Sequence, residues 1–132
     1  MLDDPVDYVS VADFRAALRR FLRVSEQAAR RHKLTPRQHL LLLMIKGARD
    51  GSESSTVSEL CKRLQLAQST VTELVQRSGE AGLVRREPSG TDGRVAHIML
   101  TPLGEQRLSD LHMELADERV LLREHIESAD AT

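Results

Sequence analysis

Apolar residues recur at helical spacing along most of this chain, and only between Gly82 and Thr101 does their period change to that of strands. Aromatic residues make up 2% of the 132 residues and Trp is absent, so a core must be built from aliphatic side chains. A chain of this length fits one domain with one core. The pattern therefore predicts a single, mostly α-helical domain that carries one small β-hairpin.

Two helix starts are marked by a threonine that is followed three residues later by Gln or Glu. The segments are Thr35-Pro36-Arg37-Gln38 and Thr56-Val57-Ser58-Glu59, and this capping-box spacing satisfies the first free amides of a helix. They predict a helix from residue 35 to Gly47 and a short helix over residues 56–64, with a polar loop at 50–55 between them. A long helix over residues 8–32 precedes both.

The segment after residue 64 predicts a third helix over residues 67–81 and then the hairpin. Gly82 lies where a left-handed residue commonly ends a helix. Residues 83–86 and 94–100 have the pattern of strands, and the turn-forming residues between them join the two. Thr101-Pro102 marks one more helix start, and a stripe of Leu and Ile side chains predicts one long helix over residues 103–128.

A short helix, a tight turn, a second helix and a hairpin follow one another in the order of a winged helix-turn-helix. In that motif the second helix enters the major groove of double-stranded DNA. Here the second helix would place apolar side chains on one face and polar side chains elsewhere. The polar side chains that we expect to contact base edges or phosphates are Gln68, Ser69, Thr72 and Gln76, with Arg77 better suited to a phosphate. An ordinary solvated helix face would show the same pattern.

The loop of the hairpin is followed by one arginine. Arg94 comes directly after a turn rich in Gly and Pro, and an exposed cation there suits a neighbouring minor groove. Asp92 is two residues away, so its carboxylate can pair with Arg94 and hold it in position. A polar hairpin that binds nothing would have the same composition.

Charge is distributed unevenly along the chain. The net charge is −1, but residues 33–101 carry ten Lys or Arg against seven acidic residues, whereas residues 102–132 carry three Arg against eight. This distribution is expected if one face meets phosphate and another faces away from it.

The acidic N-terminus is not typical of a signal peptide, and no apolar run approaches the roughly 18 residues of a membrane span. With Cys61 as its one cysteine, the chain is expected in a reducing cytoplasm.

Taken together, these residues resemble the MarR family of bacterial transcription regulators from about Leu34 to Gly104. The matching motifs, in chain order, are Leu34-Thr35-Pro36-Arg37-Gln38, Val57-Ser58-Glu59-Leu60, Gln68-Ser69-Thr70-Val71-Thr72-Glu73-Leu74-Val75, Glu80-Ala81-Gly82-Leu83-Val84-Arg85-Arg86, Asp92-Gly93-Arg94 and Leu100-Thr101-Pro102-Leu103-Gly104. The order of these short motifs is more specific than any one of them.

The resemblance implies a homodimer in which residues 33–104 form the winged-helix DNA-binding unit and residues 8–32 and 103–128 form dimerisation helices. It implies that the recognition helix lies in the major groove and the wing arginine in the minor groove. The positions that match family contacts are Ser69, Thr70, Thr72, Gln76 and Arg94. In this family a small, often phenolic or otherwise anionic effector binds between the dimer helices and the DNA-binding lobe and releases DNA.

The apolar stripes of the two terminal helices independently indicate a dimer. They are longer than a winged-helix unit alone can cover, so the same helices of a second copy are the expected cover, with two-fold symmetry. The alternative is that both stripes fold back onto their own domain.

Glu73 departs from the family pattern, because many relatives carry a basic or neutral residue at its position. An acid there repels phosphate, accepts a hydrogen bond from cytosine N4, or pairs with Arg77 one turn later. We favour the intrahelical pair. The near-neutral charge and Glu73 also keep open an alternative function, a winged-helix protein-interaction module that does not bind DNA.

Catalytic, metal and redox chemistry have little support in the sequence. The five histidines show no ligand pair at helical spacing, and no Ser/His/Asp arrangement, phosphate loop or paired-carboxylate site is evident. We therefore expect no enzyme activity, metal or cofactor. Cys61 follows Leu60 on the apolar side of its helix, which favours inert packing. His39 and the arginines of the first helix are candidate anchors for an effector, but an exposed or internally satisfied role is favoured for each of them.

Overall fold

A computed structural model describes residues 5–88 and 95–131 of the chain. In this part of the chain the elements are α1 (Tyr8–Arg31), α2 (Pro36–Lys46), β1 (Ser54–Ser55), α3 (Val57–Leu64), α4 (Gln68–Glu80), β2 (Val84–Pro88), β3 (Ala96–Leu100), α5 (Pro102–Glu114) and α6 (Ala116–Ala131). The predicted class, mostly helical with a small antiparallel sheet, is confirmed. Within these ranges no helix has both the length and the apolar character needed to cross a bilayer.

Both predicted capping boxes are present. At the start of α2 the backbone N–H of Gln38 donates to Thr35 Oγ1 over 3.1 Å. In return, the backbone N–H of Thr35 donates to Gln38 Oε1 over 3.0 Å. Thr56 and Glu59 make the same reciprocal pair at the start of α3. Each cap removes unsatisfied amides and is worth about 1 kcal/mol, so the chain enters these helices where the sequence predicts.

The core is built around α2, which packs against α1, α3, α4, α5 and β3. Leu41, Leu42 and Ile45 of α2 have no exposed surface. Aliphatic side chains of the other elements close around them: Ala28, Ala29, Leu60, Val71, Val75, Leu83, Ile98, Leu111 and Leu115. The absence of Trp and the scarcity of other aromatics are thus met by a core of branched aliphatic residues, as the composition requires.

The hairpin pairs as predicted, and a third strand joins it. β2 and β3 are antiparallel, with Val84 opposite Leu100 and Pro88 opposite Ala96. β1 pairs with the other edge of β3 and gives the strand order β1-β3-β2. The prediction of a polar loop over the whole of residues 50–55 is wrong for Ser54 and Ser55, which form β1. Two serines carry no strand signal, so their pairing comes from the free backbone edge of β3.

The prediction of one continuous helix over residues 103–128 was also wrong. The segment forms α5 and α6, which are separated at Leu115, where ψ is 3° and the side chain is 2% exposed. The carbonyl of His112 accepts a hydrogen bond from Arg119 Nη1 over 2.8 Å. Neither Gly nor Pro marks the interruption, so the local sequence gives no signal for it. A side chain from the following helix supplies a hydrogen bond at the break.

The junction between α4, β2 and α5 is held through the backbone around Leu83. Gly82 adopts a left-handed conformation with φ +77°, as predicted for a helix end. The Leu83 carbonyl accepts a hydrogen bond from the Thr101 amide over 3.0 Å. A Cβ on Gly104, in the first turn of α5, would lie 2.2 Å from the same carbonyl oxygen. The first turn of α5 therefore packs directly on the backbone that leaves α4.

Gly104→Ala is expected to destabilise the protein by about 1–3 kcal/mol, because a methyl group cannot be accommodated against a backbone oxygen without shifting α5. The measurement is the midpoint of urea unfolding. The matched control is Gly79→Ala in α4, where a Cβ would lie 3.9 Å from its nearest neighbour, the Val84 carbonyl oxygen. That change should stabilise the helix by up to about 1 kcal/mol. Equal midpoints for the two variants would contradict the close packing at Gly104.

Candidate nucleic-acid interface

The orientation of α4 is fixed by one buried face. Val71, Val75 and Ser78 are at most 1% exposed, and Leu74 is nearly buried. These positions are three or four residues apart, so they form a single stripe that packs on the core. The opposite face of α4 is consequently turned to solvent.

The polar residues predicted to contact DNA lie on α4 with different exposure. Gln68, Ser69, Thr72, Gln76 and Arg77 are exposed. Thr70 is half-buried and lines a concavity between α4 and the start of α2. The exposed five can reach a partner directly, whereas Thr70 lies on the flank of the helix and faces that concavity.

Two concavities flank α4. The first, of about 310 Å³, lies between α4 and the start of α2. It is lined by Thr35, Arg37, Gln38, Thr70, Glu73, Leu74 and Arg77. The second, of about 530 Å³, lies between α4 and β2, and its polar lining includes Thr72, Gln76, Arg85 and Arg86. Arginines therefore border α4 on both sides.

Acidic side chains on α4 contact two of the predicted DNA-binding residues. Glu73 Oε1 lies 2.7 Å from Arg77 Nη2, which confirms the predicted intrahelical pair. Gln76 Nε2 donates to Glu80 Oε1 over 3.5 Å. Glu80 is not among the predicted site residues, although its spacing of four residues from Gln76 indicates this contact.

Three arginines near α4 were also missed. Arg37 is exposed at the start of α2, while Arg85 and Arg86 are exposed on β2. Arg85 pairs with Glu87 on the same strand. The signal for all three was the basic middle segment, but only the fold shows which of its cations lie beside α4. Arg63 belongs to the same segment and serves the fold instead, because it donates to the Gly47 carbonyl over 2.9 Å.

The predicted wing residues Asp92 and Arg94 lie outside the described residues.

Cys61 is half-buried and packs against the hydrophobic core, consistent with the packing role that its position in the sequence favours.

Two histidines that are far apart in the sequence meet between α2 and α5. Nε2 of His39 lies 3.3 Å from Nε2 of His112, and Nδ1 of His112 lies 2.9 Å from Nη1 of Arg119. Because a guanidinium only donates, Nδ1 of His112 accepts, which leaves the proton of the neutral ring on Nε2 to donate to His39. A proton on that nitrogen blocks metal binding there. Within the described part of the chain, no three His, Cys, Asp or Glu side chains form a group able to hold a metal ion.

Both rings of this cluster are held in the neutral form. The pKa of His39 is lowered to about 4, mainly by burial and to a smaller extent by the nearby His112. Burial and the charge of Arg119 lower the pKa of His112. His39 is 4% exposed and contacts His112. These observations favour an internally satisfied residue over an anchor for an effector.

The terminal helices pack on each other and still leave apolar surface uncovered. Arg20 of α1 lies 3.8 Å from Glu118 of α6, and the rings of Phe14 and His125 stack with centroids 6.0 Å apart. We define the terminal-helix face by the exposed apolar side chains of these two helices: Tyr8, Val9, Val11, Leu22, Val120, Leu121 and Ile126. Each is at least 39% exposed, so both helices keep apolar surface that the contact between α1 and α6 does not cover. The predicted stripes themselves are covered in part within the chain, because Ala28, Leu108, Leu111 and Leu115 are buried in its core.

Comparison with known proteins gives one consistent family. A model for the MarR family matches residues 32–95. The chain is 30% identical over 132 residues to the uncharacterized HTH-type transcriptional regulator YsmB of Bacillus subtilis (strain 168), covering 97% of this chain and 84% of that protein. It is 39% identical over 54 residues to the HTH-type transcriptional repressor IacR of Pseudomonas putida, covering 41% of this chain and 32% of that protein.

A solved structure shares the fold. A mutant MarR of E. coli complexed with operator DNA superposes with a TM-score of 0.69 at 23% identity, covering 82% of this chain and 75% of that chain. The arrangement of helices and sheet described above is therefore the winged-helix arrangement that the sequence analysis predicted.

The His39 cluster makes folding stability depend on pH. The pKa of His39 is lowered to about 4 in the folded protein, below the ordinary value of about 6.5. As pH falls below 6.5 the unfolded chain binds a proton first, so stability decreases down to about pH 4, by up to about 1.4 kcal/mol per pH unit. His39→Gln should flatten this decrease in urea unfolding measured from pH 7 to pH 4. A slope identical to that of the parent protein would contradict the assignment.

Proposed function

The chain belongs to the MarR family of DNA-binding transcriptional regulators, and we propose that it acts as a homodimer on a pseudo-palindromic DNA operator. In this proposal α4 is the recognition helix of each subunit and lies in the major groove, and the regulator is a repressor that a small ligand releases from DNA. Family and fold are those of regulators rather than of enzymes. DNA in a bacterium lies in the cytoplasm, where we expect the protein.

The exposed polar face of α4 is the observation that carries the proposal. A helix fills the major groove, which is about 12 Å wide, and it needs donors and acceptors directed outward to distinguish bases. Gln68, Ser69, Thr72 and Gln76 provide these groups on the solvent side. Because the buried stripe of α4 prevents the helix from turning about its axis, these side chains can be presented to a duplex without rearrangement.

The flanking residues have separate roles in this proposal. Arg77 binds a backbone phosphate, which positions the helix without distinguishing sequences. Thr70, which is half-buried on the flank of α4, contacts the sugar-phosphate backbone of the DNA. Arg94, supported by Asp92, enters the neighbouring minor groove, as the family resemblance implies.

Dimerisation is proposed to occur through the terminal-helix face. Leu121, which is 54% exposed, lines a concavity of about 240 Å³ between α1 and α6, and its chain neighbour Val120 is also exposed. Exposed apolar surface of this kind is typical of an interface, and a two-fold axis brings the same face of a second copy against it. Two α4 helices can then contact two half-sites of one operator.

Repression and ligand response are proposed from relatives. IacR, which aligns with 54 residues of this chain, is named a repressor. A small anionic or phenolic effector would bind between the terminal helices and the DNA-binding lobe, as the family resemblance implies. It relieves repression only if it binds the released conformation more tightly than the conformation that binds DNA.

A protein-interaction module is the second candidate function. It is favoured by the two exposed carboxylates of α4, Glu73 and Glu80, because acidic charge on this helix repels phosphate. The ion pair with Arg77 offsets this repulsion for Glu73, whereas Glu80 contacts a neutral amide, that of Gln76. Salt dependence separates the two functions, because a protein that makes about 6–10 phosphate contacts loses roughly 10³–10⁵ in DNA affinity between 50 and 200 mM salt.

DNA recognition is tested by selecting bound sequences from random duplexes. We expect two related half-sites about one helical turn, 34–36 Å, apart. Gln68→Ala or Gln76→Ala should relax the preference at particular base pairs by about 1–3 kcal/mol, whereas Arg94→Ala should weaken binding to all sequences. Gln106→Ala, an exposed glutamine on α5, is the matched control and should bind as the parent does. If the selection enriches no sequence, the proposed function is refuted.

Dimerisation is tested by sedimentation at micromolar concentration, where the parent is expected as a dimer. Leu121→Glu places a charge in the terminal-helix face and should weaken association by at least about tenfold, with loss of operator binding. Leu40→Glu is the control, because Leu40 is also an exposed leucine, 42% accessible, but lies on α2. A parent protein that sediments as a monomer would rule out this mechanism.

A further inference from the structure

Glu73 lies on the surface that the proposed function brings against DNA, although a carboxylate there opposes the phosphates. Its side chain and that of Arg77 are 61% and 72% exposed. An ion pair that is so exposed contributes little to folding stability, so stability does not account for an acid at this position. The geometry of the pair does account for it.

The guanidinium of Arg77 is held from one side. Glu73 Oε1 contacts Nη2 at 2.7 Å, which leaves donors of the same planar group available for a second anion. A long arginine side chain otherwise samples many rotamers, and holding it in one of them reduces the entropy lost when it binds. Glu73 is thus placed to orient Arg77 before DNA arrives.

Arg77 and Glu73 share a concavity with a second cation. Arg37, from the first turn of α2, lines the same space of about 310 Å³, together with the hydroxyls of Thr35 and Thr70. Two arginines and one carboxylate give this concavity a net charge of +1. One phosphate diester carries a charge of −1, and arginines bind phosphate oxygens through parallel N–H donors. The charge and the donors therefore suit one phosphate.

We propose that Glu73 is a positioning residue, which holds Arg77 at the concavity between α2 and α4 so that Arg77 and Arg37 together bind one backbone phosphate of the operator. This inference rests on the proposed function and adds two residues, Arg37 and Glu73, to the predicted interface. It also gives the acid on α4 an effect on affinity opposite in sign to simple repulsion.

The sign of the effect of Glu73→Ala is the test, measured as affinity for the selected operator and for an unrelated duplex. A positioning residue predicts operator binding weaker by about tenfold. Repulsion predicts tighter binding to both duplexes, and that result would overturn the inference. Glu73→Asp keeps the charge but is one methylene shorter, so it should weaken operator binding as Glu73→Ala does. Operator binding by Glu73→Asp that equals the parent's would show that charge alone matters and would also overturn it.

Glu80→Gln is the matched control on the same helix. Glu80 is exposed and contacts Gln76 rather than an arginine, and the amide can still accept that hydrogen bond. Loss of its charge should leave operator binding unchanged or slightly tighter. Unfolding midpoints of all variants should stay near that of the parent, because each substituted side chain is exposed.

Arg37→Ala tests the second cation through salt dependence. If Arg37 and Arg77 share a phosphate, each single alanine variant should reduce the magnitude of the negative slope of log affinity against log salt by about 0.9 per subunit. The double variant should reduce it no further. Additive slopes would mean two separate phosphates and would overturn the shared site. A parent protein that binds no duplex would instead refute the proposed function itself.

Discussion

The packing of one face of α4 on the aliphatic core is the interaction on which the rest of the structure depends. Val71, Val75 and Ser78 are buried at helical spacing, and one residue of rotation would turn this stripe by about 100°. Such a rotation would place a valine in solvent and a glutamine or glutamate in the core. The cost of burying those polar groups fixes the helix. The chemistry of the exposed face follows from what is buried behind it.

Much of the fold was predictable because its signals are local. The capping threonines Thr35 and Thr56, the left-handed Gly82 and the strand-like period after it act within a few residues of where they occur, and each prediction is confirmed. The failures are not local. Strand β1 exists because β3 offers a free edge more than 40 residues away in the chain, and the break at Leu115 is accompanied by a hydrogen bond from Arg119. No propensity of the residues concerned indicates either feature.

The candidate site divides in the same way. The polar residues of α4 and the pair between Glu73 and Arg77 lie within one helix, so spacing alone was sufficient to predict them. Arg37 lies more than 30 residues before that helix, and only the packing of α2 against α4 brings it to the same concavity. His39 and His112 are likewise joined by the packing of α2 against α5. A linear sequence shows which side chains can act, but a surface assembled from several helices requires their relative positions.

The crowded junction at Leu83 has a mechanical consequence. Its carbonyl oxygen is hydrogen-bonded to the amide of Thr101 and lies against Gly104, which leaves no room even for a methyl group. The end of α4 and the start of α5 are therefore held in direct contact through their backbones. We expect a displacement imposed on α5 to move the end of α4 with it, because the two are in direct backbone contact. Coupling between α5 and the recognition helix proposed above would then run through the backbone at this junction.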